Sequence, residues 1–292
     1  MSDAAVAVQP TQPAPASRRP RYRQLIDVRG TSAALLRGAV VIGILLALWY
    51  AAAWYARAVG STALTLKLPY SHDVLIDIVE RWDIYAVAAW ETGSRAIIGF
   101  AIGSVVGILL GVLMIQSRWI ESSIVPYVLA SQMIPLIALV PILRAILRDA
   151  DVVRLYICSY VTFFIVTVAV LRGLKNSAPV ALEMMASLNA SRRQTLRYLR
   201  FPAAVPYIFS GLRVAAPLSL IGALLVDFIG ANSGLGYLLV ASLTLGANAT
   251  ATTLWAALVI TLFLGLLFTR VVAYFERRVS FWHPAYRAGG TA

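Results

Sequence analysis

EMMASLNASRRQTLRYLRFP, residues 183–202, interrupts a chain that is apolar almost everywhere else. It carries Arg192, Arg193, Arg197 and Arg200 and has no run long enough to cross a bilayer. Read locally, it belongs to two short helices with a joint. Ser177 and Pro179 offer a helix start, because a serine oxygen accepts from first-turn amides and proline there has no amide to leave unsatisfied. Asn189 follows the first helical stretch. Ser191 and Gln194 then match a capping box, S-x-x-Q, opening a second helix with Leu196 and Leu199 on one face. Pro202 is expected to end it. A folded element with one apolar and one basic edge has the form of a docking site for another protein.

The surroundings are those of a membrane protein. Hydrophobic residues make up 60% of the chain and charged residues 13%, and the mean hydropathy is +0.79, well outside the soluble range. The 292 residues suit an all-α, polytopic membrane helix bundle of about six transmembrane helices. A net charge of +12 is what an excess of Lys and Arg on cytoplasmic loops produces, so nucleic acid is not an expected partner. A single cysteine, Cys158, excludes an internal disulfide, and with only His72 and His283 beside it no zinc cluster is expected.

Residues 1–34 read as a disordered cytoplasmic tail: Pro, Ala, Gln and Ser come first, then Arg18, Arg19, Arg21, Arg23 and Arg29, with no apolar core before them. Apolar runs follow near 37–59, 94–116, 123–147, 152–172, 205–230 and 252–273. The acidic segment between the first two, with Asp73, Asp77, Glu80, Asp83 and Glu91, belongs outside. Arg118, the quoted island with Arg172 and Lys175, and Arg277, Arg278 and Arg287 then share the side of the basic N-terminus, which puts both termini in the cytoplasm. A permease domain over 35–275, with its cytoplasmic loop at 173–204, and a C-terminal tail at 276–292 follow. The outer turn holding Arg144, Arg148, Asp149, Asp151 and Arg154 is expected to pair locally or snorkel. Gly99, Gly103, Gly107 and Gly111 form a stripe for close helix packing, and Pro126, Pro135 and Pro141 should kink the third run.

The spacing Glu183, Asn189, Leu199, Phe201, Pro202 resembles the E-A-A-x3-G-x9-I-x-L-P loop of the membrane-spanning permease subunits of bacterial ABC importers. The resemblance continues through PAAVPYIFSGLRVA at 202–215, Asp227 with GLGYL at 234–238, SQMIPLIALVPIL at 131–143 and RAIIGFAIGSVVGILLGVL at 95–113. It implies a MetI-like permease fold in the bacterial inner membrane. It also implies a cytoplasmic ABC ATPase subunit that receives the loop, an extracytoplasmic substrate-binding protein and a second permease copy, as a homodimer. Glu183, Met184, Met185, Ala186, Asn189, Ser191, Arg192, Arg193, Leu199 and Pro202 would form the ATPase-coupling loop, with Glu183 fixing its fold. The branch it most resembles serves nitrate, sulfonates, taurine and pyrimidine or flavin-type vitamin precursors.

This chain departs from the pattern at Met184 and Met185, where the family has alanine, at Asn189, where it has glycine, and at Asp227, commonly Glu. Asn is the residue after glycine that best tolerates a left-handed backbone, so the joint is expected to survive. LRAILRDADVV at 143–153 replaces a shorter outer segment.

No Gly-Lys pair, and so no P-loop, occurs in the chain. ATP must be bound by the partner, no cofactor is expected, and no motif argues for an enzyme. Ser131, Gln132 and Pro135 in the proline-broken run and Asp227 are candidate pathway residues; for Asp227, about 30 Å along its helix, a solvated place at the outer interface is the other reading. Arg95, Glu91 and Arg213 read as interface anchors, and Trp49, Tyr50, Trp54 and Tyr55 as an aromatic belt. A secondary transporter driven by an ion gradient is the alternative function. It would need ion sites at mid-span and paired repeats, which the sequence does not display.

Overall fold

The computed structural model describes residues 29–60, 68–230, 232–244 and 251–280, with side chains from residue 36. The expected tail up to residue 28, His283 and the chain from 281 onward lie outside the described residues. Among the described residues every regular element is a helix: α1 Arg29–Ala58, α2 Ser71–Glu80, α3 Trp82–Met114, α4 Arg118–Ser131, α5 Leu136–Leu147, α6 Ala150–Lys175, α7 Pro179–Ser187, α8 Arg192–Thr195, α9 Phe201–Phe228, α10 Leu235–Thr244 and α11 Ala251–Val279. Five are long and apolar enough to span a bilayer, and α4 with α5 make a sixth span if the bent pair counts as one.

Several boundaries differ from the expected ones. Helix α1 starts at Arg29, inside the stretch assigned to the tail, and α11 runs to Val279, past the expected end at 275. The acidic segment after α1 is helical, as α2 and the first turns of α3; Asp77 there receives hydrogen bonds from Arg81 and Tyr85. The run at 123–147 is not one straight helix but two helices bent by 92°. The bend sits at 132–135, where Pro135 has no amide to continue α4; the freed Ser131 carbonyl accepts from the Tyr160 hydroxyl of α6. Of the expected aromatic belt, Trp49 packs on Trp255 at 4.5 Å and Tyr50 stacks on Tyr70 at 4.8 Å, while Trp54 and Tyr55 are exposed.

Helix α6 is the centre of the bundle, with α3 along one side and α9 along the other. The α3 contact follows from the glycine stripe. A Cβ on Gly103 would stand 2.7 Å from the Thr162 Cβ, and one on Gly111 would stand 2.8 Å from the Val170 Cβ. In lipid no hydrophobic force brings helices together, so backbone approach with its dispersion and shape fit must do so. The opposite face of α3 carries Val105, Leu109 and Leu113, all exposed. Val166, Val170, Leu174, Ala204, Ile208 and Ala215 close the core between α6 and α9 near the loop end.

At the far end the same three helices are tied by charge. Arg154 is 3% exposed; its Nε donates to Asp227, one terminal nitrogen donates to Asp151 at 2.6 Å and the other to the Ser233 carbonyl at 2.8 Å. Arg95 of α3 donates to the other Asp151 oxygen at 2.8 Å. Thr92 of α3 donates to Asp227 at 2.6 Å and accepts from the Leu235 amide at 2.9 Å. Gly234, at φ 97°, lies against the carboxylate, where a Cβ would come within 2.8 Å of the Asp227 Cγ. The acidic residue and the GLGYL segment are therefore one structural unit. Asp227 is 1% exposed, which corrects both readings of it: it is neither solvated at an interface nor open to a passage in this chain. Arg95 is likewise an ion-pair partner rather than an anchor, and Arg213 pairs with the buried Glu276 of α11.

Two expectations follow. Gly103→Val forces α3 away from α6 and lowers stability by about 1–3 kcal/mol, whereas Val105→Leu on the exposed face is neutral; thermal unfolding in detergent separates them. Asp227→Ala strands a buried guanidinium and costs about 3–5 kcal/mol, most of it recovered when Arg154→Met is added to Asp227→Leu. Equal melting of the single and double variants would mean that Arg154 escapes to water.

Candidate functional site

The loop between α6 and α9 is built from end-of-helix chemistry. Lys175 in the last turn of α6 pairs with Glu121 of α4, and Asn176 donates to the Tyr207 hydroxyl of α9, which fixes where the loop leaves the bundle. Helix α7 has Pro179 in its first turn, as expected, but its cap is Ala178 rather than Ser177, whose hydroxyl is buried without a partner among the described residues. At its other end the Asn189 amide reaches the Ala186 carbonyl at 2.9 Å and the Ala190 amide reaches Met185 at 3.0 Å. These are the paired bonds of a Schellman end, and they require a left-handed residue between them. Asn189 supplies it at φ 52°. The substitution of Asn at a position expected to hold glycine thus leaves the joint geometry intact.

The capping box is present in both directions: the Ser191 amide donates to Gln194 Oε1 at 2.7 Å and the Gln194 amide to Ser191 Oγ at 3.3 Å. Pro202 does not end the helix that follows. Leu196–Arg200 forms a π turn in which the Phe201 amide bonds to Leu196, and the widened turn carries the chain past the proline into α9. The result is one helical rod from Arg192 to Phe228, 37 residues long. Leu196 leans on the bundle core, and Leu199 is half-buried beside it.

No residue of α7 is buried. Val180, Met184 and Leu188 recur at every fourth position, and are 76%, 56% and 69% exposed. Met185 is half-buried, and Ala186 is exposed. Glu183, Arg192 and Arg193 are exposed as well. Glu183 makes no hydrogen bond or ion pair among the described residues, so it does not fix the loop's fold as expected; caps at either end do that, and its carboxylate is directed at the surroundings. An apolar stripe flanked by charges, rigid without help from those side chains, can receive a complementary groove.

The other candidate residues are separated. Ser131 bonds back to Val128 at 2.7 Å within its own helix, and Pro135 caps α5. Gln132 instead borders an open groove of about 340 Å³ between α6 and α9. Asp227 stands in the far-end cluster. Sequence reading placed Arg154 in an outer turn that pairs locally, as its bond to Asp151 shows, but did not join it to Asp227; Thr92, which completes that cluster, was not singled out, nor were Tyr207 and Ser210, which share the groove with Gln132 and with Arg172, read only as a cytoplasmic charge. Arg154 had a signal: an arginine followed by LYICSYV inside an apolar run must find a buried partner.

The sequence profile of the binding-protein-dependent transport system inner membrane component family matches residues 103–281. The formylaminopyrimidine transport permease protein ThiX of Halalkalibacterium halodurans is 38% identical over 140 residues, which span 48% of this chain and 56% of that protein. The chain thus spans little more than half the length of that relative. A probable ABC transporter permease protein of Haemophilus influenzae is 28% identical over 210 residues, 70% of this chain and 82% of its own. In fold, the chain resembles an inward-facing structure of the MetNI methionine ABC transporter, with a TM-score of 0.60 at 20% identity over 68% of this chain and 97% of the other. The profile covers more than half of the chain, and the chain belongs to the family of binding-protein-dependent transport system inner membrane components.

Proposed function

We propose that this chain is the membrane-spanning permease subunit of an ABC importer, powered by a separate cytoplasmic ATPase and supplied by an extracytoplasmic binding protein. The observation that carries the reading is the exposed Val180, Met184, Leu188 stripe beside an unengaged Glu183. Apolar residues at helical spacing outside the bundle, on a helix that buries nothing, call for a groove on another protein. The family supplies the kind of partner: an ATPase whose closure moves the loop. Because α8, the π turn and α9 are continuous, a displacement at Arg192 passes without a joint into the helix that bears Asp227.

Two copies side by side would enclose the pathway, with both termini and the loop in the cytoplasm. ATP is bound by the partner, and this chain needs no cofactor of its own. The solute belongs to one of two classes: a pyrimidine or flavin-type vitamin precursor, toward which the ThiX likeness leans, or a small anion of the nitrate or sulfonate type.

The test is co-purification from native membranes followed by substrate-stimulated ATP hydrolysis. Met184→Asp places a charge in the stripe and cuts the retained ATPase by about tenfold or more. Asn189→Val strains the joint and uncouples hydrolysis from uptake, while Asn189→Gly preserves both. Glu183→Ala leaves the melting temperature of the isolated chain unchanged but weakens ATPase retention. Normal ATPase retention in Met184→Asp and Glu183→Ala, together with normal coupling in Asn189→Val, would remove the loop from the mechanism.

A further inference from the structure

The faces of this bundle differ in a way that lipid contact alone does not produce. On α3 the outward residues are Ile102, Val105, Leu109 and Leu113, without a polar group among them. The groove between α6 and α9 is also open, yet Gln132, Arg172, Tyr207 and Ser210 border it. Arg172 and Tyr207 also border a second opening of about 340 Å³ that continues the groove toward Lys175 and Asn176. Ser210 lies about 14 Å into α9, at 1.5 Å per residue from Phe201, and Gln132 is at the α4–α5 break. The side chains of Gln132, Ser210 and Arg172 make no hydrogen bond or ion pair among the described residues. Gln132 and Ser210 at such positions call for water or a ligand, because hydrocarbon leaves them unsatisfied, while Arg172 reaches the groove from the last turn of α6.

The charges around the groove are one-sided. Lys175 is paired with Glu121, and no carboxylate lies within ion-pair distance of Arg172 among the described residues. A guanidinium offers five donors in a plane and no acceptor, which suits an oxyanion. The groove wall behind it is apolar, with Phe164 of α6, and the two helices nearly touch at its floor, where a Cβ on Gly211 would press on Ala169. Such a cleft, polar at its rim and apolar at its base, fits a small solute with an anionic head and a short apolar body.

We propose that this groove is a solute-contact site at which Arg172, assisted by Gln132 and Ser210, receives the anionic group of the transported solute. The inference rests on the permease reading and selects the anionic class within it. A phospholipid headgroup offers the same oxyanion chemistry, so the test must tell the two apart.

Ser210→Cys puts a thiol in the groove, and the buried Cys158 makes the unsubstituted chain an unreactive control. The chain, purified with whatever it retains, is placed in phosphatidylcholine nanodiscs. It is treated with the anionic 2-sulfonatoethyl or the cationic trimethylammonioethyl methanethiosulfonate, each rate being divided by that for a free thiol. The expected result is an anionic preference of about fivefold, the scale of one unit charge nearby in a hydrated site. It should fall to near one in Arg172→Gln and persist in Arg172→Lys, and millimolar ethanesulfonate should protect the thiol. A ratio near one in the Ser210→Cys chain, or one that Arg172→Gln leaves unchanged, overturns the proposal. Loss of the preference in discs containing phosphatidylglycerol, with no protection by ethanesulfonate, also overturns it by assigning Arg172 to lipid. The ratio is read on the chain whether or not an ATPase is retained. An ATPase present without the preference therefore sinks this inference alone, while a preference without an ATPase sinks the functional reading alone.

Discussion

Helix α6 can touch two long neighbours along its length only because they present hydrogens where side chains would otherwise stand. Gly99 to Gly111 on α3 meet it on one side, and Gly211 on α9 meets Ala169 on the other. In water, apolar area would force such helices together regardless of fine shape. In lipid the surrounding tails are as apolar as the helices, so close fit is what makes contact with protein better than contact with lipid. The remaining elements depend on that trio. Helix α5 packs on α6 through Val140, Val153 and Ile157, and α11 joins α9 through Arg213 and Glu276. By contrast α1, with Val40, Leu45 and Leu48 exposed, touches the rest mainly around Trp49.

Fit alone sets distance but not register, and the far-end cluster supplies the register. Arg154 uses donors toward α9, its own first turn and the segment before α10, while Arg95 and Thr92 bring in α3. A buried ion pair of this kind adds little net stability against an apolar replacement, but sliding any one helix by a turn would leave a charge unpaired in hydrocarbon. Its value is therefore specificity of arrangement.

Much of the loop was legible because its determinants are local. A left-handed Asn189 and the Ser191–Gln194 box depend on residues within one or two turns, and sequence carries that information directly. What went astray depended on partners far along the chain or on a choice between equivalent local solutions. Pro202 reads as a stop unless the turn before it widens, as Leu196–Arg200 does. Asp227 reads as an interfacial acid from its distance along α9, since nothing nearby announces an arginine 73 residues earlier. The glycine stripe was legible as a packing face, but which helix it meets was not. The 92° break followed from proline in kind, though not in size.

Two sets of polar side chains within the apolar helices thus have different physical meaning. Those at the far end, Thr92, Arg154 and Asp227, bond to one another and to Asp151, Ser233 and Leu235 and are shut away, so they hold helices in place rather than face a solute. Those along the α6–α9 groove are open and retain donors that no other described residue uses. A membrane protein that needed only to fold could carry the leucines and valines of its lipid face at Gln132 and Ser210, since each such replacement would ease insertion. Their retention on one groove, beside two helices whose movement the loop can transmit, links the polar face to the loop through the same rod of α8 and α9. The bundle is consequently asymmetric in chemistry as well as in shape: tied at one end, able to engage a partner at the other, and wettable along the side between them.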